Sequence, residues 1–191
     1  MFTWLIRKRL DAFQRTYGYN VDYVRDILAA DTTALLRLSR LDGLARYRRD
    51  VPFDVYYAAK LTGTLAEDCG PCTQLVVAMA LRDGVSPRII ARVVDGRDAE
   101  YDDDVRLGVQ FARASLAHDP AADQLRDAIV ARWGPRALVS LAFALAAARL
   151  YPTIKYALGH GKACQRVIVA GETVTPEPLV RVRTSGLPAS H

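Results

Sequence analysis

The chain has 191 residues, 51% of them hydrophobic, and a formal net charge of +5. A chain of this length and apolar content can bury a core without disulfides or metal ions, and it predicts one domain overall. Three cysteines are too few for a disulfide framework and favour a reducing, cytoplasmic location.

Two features argue against an exported or membrane-spanning chain. Residues 1–6 are too short for the apolar core of a signal peptide, and the basic Arg7-Lys8-Arg9 follows them. The most apolar run, residues 137–150, is shorter than the ~20 residues that a membrane span requires. We therefore expect no signal peptide and no membrane span.

Charge is unevenly distributed along the chain. The first fifty residues hold ten Lys and Arg against six Asp, whereas residues 95–104 hold six carboxylates against Arg97. This dipolar pattern fits subunit association or simple solvation. The densest basic segment, residues 46–49, has the single aromatic Tyr47, whereas a nucleic-acid surface needs a basic stripe with aromatic platforms. We interpret it as a solvated helix end and expect no nucleic-acid partner.

The first fifty residues predict three helices. Residues 2–17 have an amphipathic period that ends at Gly18, a second short helix covers 21–30, and Asp31 caps a third that ends near Gly43. An amphipathic first helix can lie on a membrane surface, but more often it covers a protein core. The apolar residues expected to face inward are Phe2, Leu5, Ile6, Leu10 and Phe13 in the first helix, and Leu35, Leu36, Leu38 and Leu41 in the third.

The middle of the chain predicts a helical hairpin around a cysteine pair. Val51-Pro52 opens a helix over 53–66, which Gly63 weakens. The next helix begins at Cys69 with Asp68 as its N-cap, tolerates Pro71 in its first turn and stops at Gly84. Val55, Ala58, Ala59 and Leu65 are expected on the inner side of the first helix.

Cap and proline signals divide the remaining helices. Ser86-Pro87 and Asp119-Pro120 each begin a helix, residues 102–104 place carboxylates in a first turn, and Gly134-Pro135 separates two helices. Residues 137–150 are apolar all round, which predicts a central helix. Tyr151-Pro152 should kink or restart it, with a last helix to about residue 158.

The residue pattern that predicts secondary structure changes after Gly161. Residues 166–175 predict a hairpin or an extended arm, and Pro176, Pro178 and Pro188 make the end irregular. We predict an all-α bundle of about eight or nine helices with an irregular C-terminal arm that packs on another subunit or is disordered. Residues 1–50 would pack as N-terminal helices on a core of 51–161, with 162–191 as the arm or a short hairpin.

The chemistry concentrates in residues 67–74, Glu-Asp-Cys-Gly-Pro-Cys-Thr-Gln. A thiolate is the nucleophile in disulfide and peroxide chemistry, and a helix N-terminus favours the thiolate form. The first cysteine of such a pair is usually the more exposed, and the Gly-Pro turn suggests a site that is partly exposed. We therefore expect Cys69 to attack and Cys72, within disulfide reach, to resolve. Glu67 and Asp68 disfavour the thiolate as charges, but either could accept or deliver a proton.

Cys-Gly-Pro-Cys is also the thioredoxin active-site sequence, but thioredoxin places it after a strand, and here a helix precedes it. The order of elements instead resembles the AhpD-like alkylhydroperoxidase and carboxymuconolactone decarboxylase superfamily over residues 52–160. A helix ends just before the pair, which opens a long helix. The second half agrees in DDDVRLGVQFA at 102–112, WGPRALV at 133–139 and the apolar helix up to residues 157–159.

The resemblance implies an all-helical fold and homo-oligomers, commonly trimers or hexamers. Its peroxidase members reduce small hydroperoxides with the cysteine pair, take electrons from a partner protein and need no bound cofactor. This sequence departs from them at two positions. Val76 stands where those members have a histidine, and residues 56–58 stand where they have a glutamate. Glu67 is the nearest substitute for the proton relay, with Tyr57 and Lys60 as weaker candidates. The decarboxylase members do not depend on such a pair, which makes their chemistry less favoured.

Three alternatives remain open. His160 and Cys164 could join Cys69 and Cys72 in a zinc site, although Gly159 and Gly161 favour an irregular segment there. The cysteines could instead be small packing residues. The chain could also be a non-catalytic oligomer that binds a partner through its basic N-terminal helices or its C-terminal arm. The leading hypothesis is a thiol-dependent peroxidase or disulfide oxidoreductase, with a small peroxide or disulfide as substrate and Cys69, Cys72 and Glu67 at its site.

Overall fold

A computed structural model describes residues 2–163 and 166–177, apart from the side chain of Phe2. Over those residues the chain is predominantly helical, which confirms the all-α prediction. The helices are α1 (Phe2–Tyr17), α2 (Asp22–Ala30), α3 (Thr32–Ser39), α4 (Asp42–Ala45), α5 (Phe53–Ala66), α6 (Gly70–Arg82), α7 (Pro87–Val94), α8 (Asp103–Ala117), α9 (Ala122–Trp133) and α10 (Pro135–Ala157). A 3-10 turn covers Asp98–Glu100, and the strands are β1 (Val167–Val169) and β2 (Glu172–Val174).

Local capping explains several helix ends. The Asp31 carboxylate accepts from the Thr33 backbone N–H at 2.7 Å, and the Asp102 carboxylate accepts from that of Val105 at 2.8 Å. The predicted Asp31 cap is therefore confirmed, because its carboxylate satisfies a first-turn donor that has no partner within the helix. Asp102 was expected in the first turn of α8, but it is the cap, and Asp103 and Asp104 follow it in that turn. Ser86 precedes Pro87 as predicted, but its side chain makes no capping hydrogen bond.

Three predicted boundaries are wrong. Gly43 lies inside the separate short helix α4 rather than at the end of α3. Asp68 is not the cap of α6: its φ is +48°, and Cys69, with an extended backbone, occupies the cap position. Finally, α10 runs unbroken through Tyr151-Pro152 as one helix of 23 residues, with Pro152 inside it and buried.

Helix α5 is the centre of the molecule. Every residue from Val55 to Leu65 is buried, because α5 packs against α6, α7, α8 and α10. Gly63 does not simply weaken this helix: a Cβ there would lie 2.6 Å from the Ala148 Cβ of α10. Gly108 of α8 approaches Val55 in the same way, at 2.7 Å from Cγ1. The two glycines therefore allow the neighbouring helices to approach α5 closely.

Helix α10, expected to be central, buries one side only. Ala137, Leu141 and Ala144 are inaccessible, whereas Val139 is 41% exposed. Since the helix continues past Pro152, it is long and apolar enough to cross a membrane by length and composition, contrary to the expectation that this run would be too short. Core helices of globular proteins meet the same criterion, so this is a weak indication.

The first helices form a smaller layer against α6 and α10. Tyr19, Val21 and Tyr23 make its buried cluster, with Leu75 and Ile154 packed against it. The pattern misplaced two leucines, because Leu5 of α1 and Leu36 of α3 are 52% and 40% exposed. Periodicity shows which residues share a helix face, but it does not show how far the covering surface extends.

The hairpin predicted in the C-terminal arm is confirmed, and the described part of the arm packs on its own chain. β1 and β2 pair antiparallel, with Val167 opposite Val174. Val167 and Val169 are buried in the main core. The other edge of β1 meets α6, where the Gln74 side-chain amide donates to the Ile168 carbonyl at 2.9 Å and accepts from the Ile168 N–H at 2.8 Å. Pro178 and Pro188 lie outside the described residues.

Candidate functional site

Cys69 and Cys72 are joined by a disulfide at the N-terminus of α6. Cys69 is the N-cap, and its carbonyl accepts from both the backbone N–H of Thr73 at 2.9 Å and its hydroxyl at 3.1 Å. Cys72 follows in the first turn of the helix. The two Cα atoms are 5.2 Å apart, so the helical turn itself brings the sulfurs within bonding distance.

Both cysteines are buried, which overturns the expectation of a partly exposed pair with Cys69 outermost. Cys69 is inaccessible, and Cys72 is only 4% exposed. The reason is tertiary. The chain after α10 crosses the start of α6, where the Gly70 N–H donates to the Lys162 carbonyl at 3.0 Å. Gly and Pro predicted an open turn, but a segment some ninety residues later in the chain covers it.

Tyr156, near the end of α10, also contacts the turn before α6. Its hydroxyl donates to the carbonyl of Asp68 at 2.8 Å, immediately before the disulfide. A Cβ on Gly161 would lie 2.1 Å from the Tyr156 ring, so only glycine lets the covering chain pass this close. The end of α10 and the segment after it therefore hold the turn before α6 in place.

Glu67 lies at the C-terminus of α5, two residues before Cys69. Its carboxylate accepts from the Arg149 Nε of α10 at 2.7 Å. The Glu67 side chain is 21% exposed, so it lies between the core and the solvent. Glu67 is close to the cysteines along the chain, and the structure adds a cation, Arg149, that occupies its carboxylate oxygen.

The weaker proton-relay candidates are occupied elsewhere. The Tyr57 hydroxyl donates to the Asp83 carboxylate at 2.5 Å, at the opposite end of α6 from the cysteines. The Lys60 amine donates to the Ala45 carbonyl at 2.9 Å, and that oxygen also accepts from the Tyr56 hydroxyl. Val76 is buried, as an aliphatic residue on the inner face of α6 would be.

Burial also changes the protonation of these groups. Removal from water lowers the pKa of the Lys60 ammonium to about 8, and the nearby positive charge of Arg46 adds to the effect. Burial and the Asp83 carboxylate raise the pKa of the Tyr57 phenol. Lys60 is thus a buried amine whose pKa lies close to neutral pH, although it faces α4 rather than the disulfide.

The structure does not assemble the zinc site considered above. Cys69 and Cys72 share a disulfide, and the His160 ring instead contacts the Asp26 carboxylate of α2 at 2.7 Å. Cys164 lies outside the described residues. Within residues 2–163 and 166–177, no group of three or more histidine, cysteine or carboxylate side chains is arranged to hold a metal ion.

Two surface clefts lie away from the cysteines. One of about 510 Å³ separates α8 from α9 and is lined by Arg113, Ala117 and Leu125. Another, of about 340 Å³, is lined by Asp54, residues 102–105 and Arg132. Neither includes a residue of the 67–74 segment, so neither is a substrate site for the disulfide.

Comparisons with protein-family models, curated proteins and solved structures returned no match for this chain.

Sequence reasoning found the pair and its adjacent carboxylate but missed the residues that enclose them. Arg149, Tyr156 and Lys162 reach the site from more than eighty residues away. A contact at such a separation leaves no local pattern, because periodicity and capping report only on neighbouring residues. Gly161 was the one sequence signal for this enclosure, since a glycine after a helix can mark a position where two segments pack closely.

Proposed function

We propose that this protein is a cytoplasmic, thiol-dependent oxidoreductase that reduces a small hydroperoxide or disulfide with its Cys69–Cys72 pair. The observation that carries the proposal is the disulfide itself, formed between a helix cap and a first-turn residue. In a reducing compartment such a bond is typical of a catalytic or redox-sensing pair rather than of a structural one. Burial of both sulfurs favours a small oxidant over a large one.

The proposed cycle starts from the reduced pair. The Cys69 thiolate, favoured by the N–H groups at the start of α6, attacks the distal oxygen of a hydroperoxide and breaks the O–O bond. The alcohol leaves as an alkoxide that takes up one proton, for which Glu67 is the proposed donor. Cys72 then loses its proton and displaces the sulfenic oxygen as water, which forms the disulfide. A dithiol donor returns two electrons and two protons.

The donor in this proposal is a protein dithiol, and the molecule is a homo-oligomer that needs no bound cofactor. These features rest on the resemblance to AhpD-like proteins, which the order of helices around the pair supports. The Glu67–Arg149 ion pair holds the carboxylate against α10. Proton delivery would require Glu67 to exchange Arg149 for the reacting group.

The test is turnover of hydrogen peroxide and cumene hydroperoxide with dithiothreitol or a thioredoxin system as donor. We expect Cys69→Ser and Cys72→Ser to lower the rate by at least about a hundredfold, because each removes a reacting sulfur. Cys164→Ser is the matched control and should keep the wild-type rate. Equal, negligible rates in the wild type and in all three variants would refute the peroxidase activity.

The burial of the two cysteines also supports a second, structural function. A disulfide closed off by Tyr156 and Lys162 could serve only to secure the turn between α5 and α6 in a non-catalytic oligomer that binds a partner. In that case dithiothreitol should reduce the bond slowly, Cys69→Ser should lower the melting temperature, and peroxide turnover should be negligible in the wild type and the variant alike. Fast reduction together with peroxide turnover favours the oxidoreductase instead.

A further inference from the structure

The N-terminal helix α1 has one face that the rest of the described chain leaves uncovered. Its inner face, with Ile6, Leu10, Phe13 and Tyr17, is partly buried, and the last three pack against the Tyr19–Tyr23 cluster. Trp4 and Leu5 lie on the other side and are 54% and 52% exposed. They are among the most exposed large apolar side chains of the described residues.

Positive charge surrounds these two apolar residues. At 100° per residue, Lys8 and Arg15 share the face of Trp4, and Arg9 lies beside Leu5. The Lys8 ammonium lies 4.0 Å from the centre of the Trp4 ring. Within the described residues, Arg7, Lys8, Arg9 and Arg15 take part in no ion pair, and the one carboxylate of the helix, Asp11, pairs with Arg25 of α2 at 2.7 Å.

We propose that this outer face of α1, namely Trp4, Leu5, Lys8, Arg9, Ala12 and Arg15, binds the surface of a membrane that carries anionic phospholipids. Tryptophan prefers the boundary between head groups and acyl chains, and a leucine beside it adds buried apolar area. Lysine and arginine on the same face bind lipid phosphates and carboxylates. The Asp11–Arg25 pair and the packed Phe13 and Tyr17 hold the second half of the helix on the protein, so its first turns are presented to the bilayer.

A lipid surface fits this face better than nucleic acid does. Phosphate contacts are common to both partners, but a nucleic-acid strand needs aromatic platforms at successive positions. Among residues 3–9, Trp4 is the one aromatic residue, and its neighbour Leu5 offers a base neither a stacking plane nor a hydrogen bond. The inference is independent of the disulfide chemistry proposed above.

The test is flotation of the full chain with vesicles of phosphatidylcholine, alone or with about one-third phosphatidylserine. We expect binding to the anionic vesicles alone, and quenching of tryptophan fluorescence by brominated acyl chains that is lost in Trp4→Ala. The double variants Trp4→Ala/Leu5→Ala and Lys8→Glu/Arg9→Glu should each weaken vesicle binding by about tenfold or more. All four side chains are exposed, so circular dichroism and melting temperature should match the wild type.

The matched control is Arg37→Glu/Arg40→Glu, which makes the same charge change at exposed positions at the end of α3. Its vesicle binding should fall by less than about twofold. An equal fall in this control, or equal binding to neutral vesicles, would overturn the proposal. So would an absence of vesicle binding, α1-dependent binding to a duplex DNA probe in place of vesicles, or a change of oligomeric mass in Trp4→Ala/Leu5→Ala.

Discussion

The side-chain amide of Gln74 makes two hydrogen bonds to the backbone of Ile168, one through each of its polar atoms. Gln74 lies two residues after Cys72, so the hairpin is tied to the same helix turn that carries the disulfide. The amide takes the place that a third strand would occupy beside β1.

Replacing Gln74 with alanine should therefore loosen the hairpin rather than the bundle. The loss of two hydrogen bonds should cost about 1–2 kcal/mol of unfolding free energy. The Ile168 amide hydrogen should exchange faster in hydrogen-exchange experiments. Gln124→Ala, at an exposed position of α9, is the control and should change neither quantity. Unchanged exchange at Ile168 would contradict the assigned role.

Gly63→Ala should destabilise the protein although alanine is the better helix former. The new methyl group would lie 2.6 Å from the Ala148 Cβ, so α5 and α10 must move apart, at a cost of about 1–3 kcal/mol. Gly43→Ala in α4 is the matched control. Its new Cβ meets no atom within 4 Å, so we expect a gain of up to about 1 kcal/mol. Urea unfolding measures both changes, and equal effects would rule out the close approach.

Lys60 predicts a pH dependence of stability. Burial lowers the pKa of its ammonium to about 8 in the folded protein, below the usual 10.5. Between these two values the unfolded chain binds the extra proton, so the free energy of unfolding should rise with pH, by roughly 3 kcal/mol in total. Urea melts between about pH 7.5 and 9, below the ordinary tyrosine pKa of about 10, would show the first part of this rise.

Lys60→Met should remove that rise, because methionine does not titrate. Lys8→Met changes an exposed lysine and is the control that should keep it. The same pH profile in wild type and Lys60→Met would show that the buried amine is not the source.

Tyr156→Phe should open the disulfide to reductants. It removes the hydroxyl bond to the Asp68 carbonyl and so frees the turn before Cys69. We expect dithiothreitol to reduce the bond several times faster than in the wild type. Tyr57→Phe removes a comparable hydroxyl bond, to Asp83 at the far end of α6. That control should cost about 1–2 kcal/mol of stability but leave the reduction rate unchanged.

Much of the secondary structure was predictable because its causes are local. Asp31 and Asp102 cap helices through hydrogen bonds to residues two or three positions away. The bounds of α5 follow from Pro52 before it and the turn after Ala66, and the hairpin from short apolar runs around Gly171. The predicted break of α10 at Pro152 was wrong, because a proline inside a helix costs one hydrogen bond, and the packing of α10 tolerates that loss.

The sequence by itself determined most of the helices and placed Cys69 and Cys72 within disulfide reach, since a helix turn brings residues three apart together. Only the tertiary structure decided that α5 is the enclosed helix and that α10 is not. It also decided that the cysteines are buried, that Glu67 meets Arg149 and that Leu5 faces solvent. Each of these depends on which distant segment covers a surface, and the covering segments reach these positions from distant parts of the chain.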